Sequence, residues 1–253
     1  MKSNENYVHL YILLGGKGGI GKTVIALLFA DYFARHKIPY FATDCDVENH
    51  GKPGACFAHW MGDSAVRLNL RDVEDCDALL MGASQAPAPI VVADVPGNAG
   101  PDVHEWWRDV ISPATLKKLK LKVTGVGVTV PEPGASDSVA DWITRMGNHI
   151  DYLVALNRRT PEKVRRPLEK AFADWKLVQL PKGAQVRTFE VGNLYPSAML
   201  ELIQLRQLPT EALDKDALSG INQNRVRRWR DEVHEQLDAF GLLPKPEPAA
   251  VAK

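Results

Sequence analysis

The octapeptide Gly16–Thr23, Gly-Lys-Gly-Gly-Ile-Gly-Lys-Thr, constrains this chain more than any other stretch. It follows the apolar run Tyr7–Leu14 and opens the apolar stretch Lys22–His36. An apolar run that ends in glycines reads as a buried parallel strand, and a stretch apolar on nearly all sides reads as a helix packed against a sheet. The octapeptide is then a strand-to-helix turn, and its spacing fits G-x-x-x-x-G-K-[ST]. Glycines let successive backbone N–H groups curl around a phosphate without a Cβ in the way. Lys22 supplies a point charge to the phosphates, the Thr23 hydroxyl can ligand Mg²⁺, and the helix directs its positive end at the anion. Gly16, Gly18, Gly19, Gly21, Lys22, Thr23 and Val24 form the expected binding set. A glycine-rich turn with an idle lysine does not account for the strand before it and the helix after it.

The rest of the chain repeats the alternation. Strands are expected at Ile38–Asp44, Ala65–Asp72 (at an edge, with period two), Ile90–Gly97, from Val123 onward, at Asp151–Asn157 and at Lys176–Pro181. Helices are expected at Val73–Ala83, through Asp102–Lys120 with a break near Pro113, at Ala135–Gly147 and at Glu162–Trp175. Strands alternating with helices imply an α/β fold: a doubly wound, mostly parallel sheet with helices on both faces. After Pro196 the chain turns helical, in Ser197–Leu208 and Ser219–Gly241. The expected organisation is a nucleotide domain over 1–194, a helical extension over 195–241 packed on it, and a disordered Pro/Ala tail over 242–253.

Composition excludes some partners. The 253 residues carry 31 basic and 31 acidic side chains, a net charge of zero, which disfavours a charge-driven grip on nucleic acid by the whole surface. Cys45, Cys56 and Cys76 have no metal-ligand spacing and read as reduced thiols of a cytoplasmic protein. The first residues lack a basic start and a small-residue cleavage site, and no run approaches the length of a membrane span. His36, His50, His59, His104, His149 and His234 show no ligand spacing and read as surface or loop residues; Trp106 and Trp107 read as helix anchors.

Acids complete the site. Asp44 and Asp46 end the second strand two residues apart, so their side chains are expected to point the same way, toward the crevice at the carboxyl edge of the sheet. There they can hold a Mg²⁺-bound water and orient the attacking water. Asp94 ends a strand of apolar residues, where an acid is costly unless it meets a metal or hydrogen bonds. The expected metal set is Thr23, Asp44 and Asp94.

Lys17 is a second lysine in a loop that needs one. Its side chain can project outward and reach the phosphates of a facing subunit, as an arginine finger does. The pattern Lys-Gly-Gly-x-Gly-Lys-Thr resembles the deviant Walker A ATPases, the MinD/ParA family of P-loop NTPases. That resemblance covers about residues 7–190. It implies ATP and Mg²⁺ as ligands, slow partner-stimulated hydrolysis, and a homodimer formed on ATP binding with Lys17 acting in trans. It implies that Asp46 positions the water, with Lys17, Lys22 and Asp46 as the catalytic set, and that Asp94 is the Walker B acid. Gly97 would sense the γ-phosphate through its N–H. Asn157 would read the adenine edge, with Pro181 lining the other side. Val47 departs from the proline that many relatives have there.

The stretches Val8–His50 and Val66–Leu80 look more like the TraL/StbB-type proteins of plasmid conjugation and stability than like cell-division relatives. This implies a DNA-binding or partition partner protein. Three alternatives share the fold: an amidoligase or synthetase-like enzyme, which usually lacks the first lysine; a nitrogenase-type electron carrier, whose cysteines follow the Asp94 equivalent; and a non-hydrolysing regulatory module, which would lose Asp46.

Val226, Trp229, Val233, Leu237 and Phe240 mark one apolar face of the last helix. Docking on the domain is the expected role of that face. Direct DNA contact has weak support from the neighbouring arginines, and Asp231, Glu232 and Glu235 disfavour an anionic membrane.

Overall fold

The computed structural model describes residues 7–15, 17–49, 52–97, 100–132, 134–158 and 180–244. Seven parallel strands form one sheet in the order β3-β2-β4-β1-β5-β6-β7. They are β1 (Val8–Leu14), β2 (Tyr40–Asp44), β3 (Ala65–Arg67), β4 (Ile90–Asp94), β5 (Leu121–Thr129), β6 (Asp151–Asn157) and β7 (Val186–Val191). The helices are α1 (Lys22–Arg35), α2 (Ala58–Met61), α3 (Val73–Ser84), α4 (Gly100–Val110), α5 (Pro113–Lys118), α6 (Ala135–Met146), α7 (Pro196–Leu205), α8 (Pro209–Asp214) and α9 (Gly220–Ala239).

The period of two along β1 decides which layer each side chain enters. Tyr11 and Leu13 join a core with α1 and the C-terminal helices, whereas Leu10, Ile12 and Leu14 join one with α3, α4 and α6. Both faces of the sheet are therefore dry, as parallel pairing requires. Fully burying each such Leu, Val or Phe contributes about 1.5–3 kcal/mol. The expected helix break is present: Pro113 starts α5, and the Ser112 hydroxyl accepts from the Thr115 N–H at 3.1 Å.

Several elements differ from expectation. β2 starts at Tyr40 and β4 stops at Asp94. β3 is only three residues long, because it pairs with β2 alone and the chain then turns into α3. The strand beside β6 is Val186–Val191, a segment to which no element is assigned above. Its charged residues face out while Phe189 and Val191 are buried, and only an edge position tolerates that mixture. The helix expected at Glu162–Trp175, and most of the strand expected at Lys176–Pro181, lie outside the described residues. The short helix α8 was not anticipated.

α9 lies against β7 and α1. Val226, Trp229, Val233 and Leu237 are buried, Phe240 is partly so, and Leu242 joins the same core. A polar cluster ties α9 to α1. Asp31 is fully buried and accepts from the Thr210 N–H at 2.7 Å and the Thr210 hydroxyl at 3.0 Å. His234, expected at the surface, is buried instead, with Nε2 3.4 Å from Asp31 and no hydrogen bond to that atom among the described residues. It sits beside Val233 on the α1-facing side of α9.

Burial pushes the His234 pKa down to about 4, with help from Arg35 and Arg230. Burial pushes Asp31 up to about 6 against its Thr210 hydrogen bonds. The two act in opposite directions on stability. Asp31 takes up its proton more readily folded than unfolded, so acidification from about pH 6 toward 4 favours the fold through Asp31. His234 stays neutral folded but charges when unfolded, so acidification from about pH 6.5 toward 4 disfavours the fold through His234. D31N keeps only the second effect. We expect its melting temperature, followed by circular dichroism, to fall more steeply than wild type between pH 6.5 and 4.5. Parallel curves would show that the pair does not govern the acid response.

Candidate functional site

β1 ends at Leu14 and α1 begins at Lys22, so the loop between them lies at the carboxyl edge of a central strand. Gly21, just before α1, has φ +96, a left-handed conformation that glycine adopts without strain. A Cβ there would stand 2.6 Å from the Asn157 amide nitrogen, so space as well as torsion demands glycine. Gly97 closes the loop from the other side. A Cβ on it would stand 3.1 Å from Lys22 Nζ and 3.2 Å from the Gly18 nitrogen.

A cleft of ≈ 460 Å³ opens over this loop. Gly18, Gly19, Gly21, Lys22, Thr23 and Val24 line it, and Asp46, Asn49 and Gly97 face them. Gly16 lies outside the described residues. Lys22 is only 9% exposed, and Nζ donates to the Lys17 carbonyl at 3.2 Å. Burial presses its pKa down, opposed by the carboxylates of Asp94 and Asp46.

Thr23 Oγ1 donates to Asp94 Oδ2 at 2.7 Å. Asp94 is buried, and burial pushes its pKa up to about 7. The Thr23 hydrogen bond and Lys22 oppose that rise, while Asp44 and Asp46 add to it. A carboxylate this costly in the apo site favours a cation at its side.

Asp44 and Asp46 do not point the same way. β2 ends at Asp44 and the chain turns at once into a 3₁₀ turn, Val47–Asn49, so strand alternation no longer applies to Asp46. Asp44 is buried beside the cleft. Its Oδ1 accepts from the Asp46 N–H at 3.0 Å, and its Oδ2 accepts from the Ala58 N–H at 2.7 Å. It staples the loop to α2. Asp46 does line the cleft. Its Oδ2 accepts from the Asn49 amide at 2.7 Å, and its Oδ1 is buried without a hydrogen-bond partner among the described residues. No strong sequence signal marks Asn49, whose role as a brace depends on this turn.

Mg²⁺ fits these residues. It needs only one or two side-chain oxygens, since waters and phosphate oxygens fill the remaining positions. Thr23 and Asp94 are adjacent, and Asp46 lines the same cleft. Among the described residues, no group of three or more His, Cys, Asp or Glu forms an all-protein cage.

Lys17 forms an ion pair with Glu132, on the loop after β5, and the two are 39% and 33% exposed. No sequence signal marked Glu132 as its partner. Asn157 ends β6 and donates to the Ile20 carbonyl at 2.9 Å, so it braces the phosphate loop from behind. It does not line the cleft, and neither does Pro181, which leads toward β7. Cys45, Cys56 and Cys76 are buried and form no disulfide among the described residues, and burial pushes the Cys45 thiol well up. Trp106 and Trp107 are buried, with their indole N–H groups donating to Asp77 at 2.8 Å and to the Met146 carbonyl at 3.2 Å. Among the described residues no helix is long and apolar enough to cross a membrane.

No family model matches the sequence. Among curated proteins the chain is similar to Protein TraL of Escherichia coli, 24% identical over 249 residues, covering 92% of this chain and 99% of that one. It is also similar to Protein MobD of Acidithiobacillus ferrooxidans, 21% identical over 235 residues, covering 90% of this chain and 96% of that one. Among solved structures it superposes on the septum site-determining protein MinD complexed with Mg-ADP from Pyrococcus horikoshii. The TM-score is 0.56 at 12% identity, covering 93% of this chain and 98% of that one. A chain of the MinC:MinD cell division protein complex of Aquifex aeolicus gives 0.54 at 12% identity, covering 95% of this chain and 99% of that one. The chain thus has the fold of the MinD-like P-loop NTPases, and over nearly its whole length its sequence is similar to TraL and MobD.

Proposed function

We propose that this chain is a cytoplasmic, Mg²⁺-dependent ATPase that works as a nucleotide-driven dimeric switch in plasmid stability or conjugative transfer. The observation that carries the ATPase reading is the meeting of Lys22, the Thr23–Asp94 pair and Asp46 around one glycine-walled cleft. The fold and the likeness to TraL and MobD support it.

Lys22 and the loop N–H groups bind the phosphates. Thr23 and Asp94 hold the metal, which when bound neutralises charge on the phosphoryl oxygens. Asp46 lines the cleft, braced by Asn49, and its carboxylate orients a water toward the terminal phosphate. Gly97 keeps the opposite wall thin enough for its backbone to approach that phosphate. Asn157 acts by holding the loop rather than by facing the cleft, and base recognition by its amide would require that bond to open.

Lys17 reaches a second subunit only by leaving Glu132. Half-exposed ion pairs contribute about 0–1 kcal/mol, so a facing triphosphate outcompetes the carboxylate at little cost. K17A should bind ATP within about threefold of wild type, because exposed charges weigh little. Light scattering with ATP should show that it no longer dimerises, and its turnover should drop. Turnover equal to wild type would remove Lys17 from the reaction.

A further inference from the structure

The segment after β2 carries a row of polar side chains that runs from the nucleotide cleft to the surface. Asp46, Asn49 and Lys52 follow one another at every third position. The backbone makes that spacing count. The Asn49 N–H donates to the Asp46 carbonyl at 3.3 Å, and the Lys52 N–H donates to the Asn49 carbonyl at 3.0 Å. Turns closed by such i to i+3 bonds bring side chains three apart onto the same side. The side chains then bond in the same order. Asn49 Nδ2 donates to Asp46 Oδ2 at 2.7 Å, and Lys52 Nζ donates to Asn49 Oδ1 at 3.0 Å. Asp46 and Asn49 line the cleft, whereas Lys52 is exposed outside it.

The two ends of the row fix the amide between them. A carboxylate only accepts and an ammonium only donates, while an amide can present either end. Asn49 has one orientation that serves both neighbours: oxygen toward Lys52, nitrogen toward Asp46. Flipped, it would set its oxygen against the Asp46 carboxylate and its nitrogen against the ammonium. Asp46 thus receives a donor whose direction is held from outside the cleft. A carboxylate has about four acceptor positions, so this bond fixes its plane without closing it to water. An exposed lysine by itself contributes little to stability. Its place in the row is what connects Lys52 to the cleft.

We propose that Asn49 and Lys52 are positioning residues for Asp46: Asn49 aims the carboxylate, and Lys52 sets which way the Asn49 amide faces. The inference rests on the reading of Asp46 as the group that orients the attacking water. It adds that the aim of this group is controlled from the protein surface. Both residues act through Asp46 rather than on the reacting atoms.

The test measures single-turnover hydrolysis and ATP affinity in full-length wild type, N49A, K52A, K52E, D46A and D46A/N49A. N49A should slow hydrolysis about tenfold, the weight of one hydrogen bond to a charged group, and leave ATP affinity unchanged. K52A should slow it less, because the amide still turns its nitrogen to Asp46. K52E should slow it as much as N49A, because the amide then lies between two acceptors that compete for its nitrogen. Added to D46A, N49A should change the rate no further, since its effect runs through a carboxylate that is gone. A role for Asn49 in general stability would instead lower the rate again in the double variant. That further drop, or an N49A rate equal to wild type beside a slow D46A, overturns this inference alone. Full turnover in D46A, or none in wild type, overturns the reading of Asp46 and this inference with it.

Discussion

Alanine at Lys22 lowers ATP affinity by roughly 10- to 100-fold, as measured by equilibrium dialysis of labelled nucleotide. The range follows from losing a charged hydrogen bond worth about 1.5–3 kcal/mol, with each 1.4 kcal/mol a factor of ten. The ammonium is already in place before any ligand arrives: it is 9% exposed and tied to the Lys17 carbonyl. Binding therefore spends little free energy on ordering the side chain, and most of the charge attraction appears as affinity. The substitution also removes a cation that steadies the buried Asp94. Methionine at the same position separates the two effects, since it keeps an apolar stem in the space beside Gly15 and removes only the charge. If K22M folds like wild type and still binds ATP at full strength, the cleft is not a phosphate site.

Asp46→Ala has the opposite signature. ATP binding stays within about threefold, because Lys22, Thr23 and the loop N–H groups remain, while single-turnover hydrolysis falls by roughly 10²- to 10⁴-fold, the usual range for a group that handles the proton or positions the nucleophile. The structure separates Asp46 from Asp44 in this respect. Asp44 has both oxygens engaged by backbone N–H groups, so its removal loosens the loop and α2 together. Asp46 has a buried oxygen with no partner among the described residues, so its removal leaves no protein group stranded at that atom. D46A should thus melt close to wild type, whereas D44A should lose stability. Hydrolysis by D46A at the wild-type rate would remove Asp46 from the reaction, and no hydrolysis by the wild-type protein would favour the non-hydrolysing regulatory module over the ATPase.

The phosphate loop was legible because its chemistry is contiguous. Glycine torsions, Lys22 and Thr23 all act within one turn, and spacing alone fixes where they go. The docked face of α9 was legible for the same reason: Val226, Trp229, Val233 and Leu237 repeat at the helical period, and that period needs no knowledge of what they face. β7 was missed because its alternation is diluted by charge at an edge. His234 was misplaced because a polar residue on the buried side of a helix is indistinguishable, by periodicity, from one at the rim.

By itself, then, the sequence determined the strand–loop–helix unit, the α/β alternation and the identities of the groups available for phosphate and metal. Tertiary structure decided which groups meet. The ion pair of Lys17 with Glu132 joins residues 115 apart in the chain, and the brace from Asn157 to Ile20 joins residues 137 apart. Such pairings follow from the order in which parallel strands sit side by side, with β5 next to β1 and β6 beyond it. Local spacing sets only the direction of each strand. Its neighbour is chosen by burial of both sheet faces at once, a property of the whole chain.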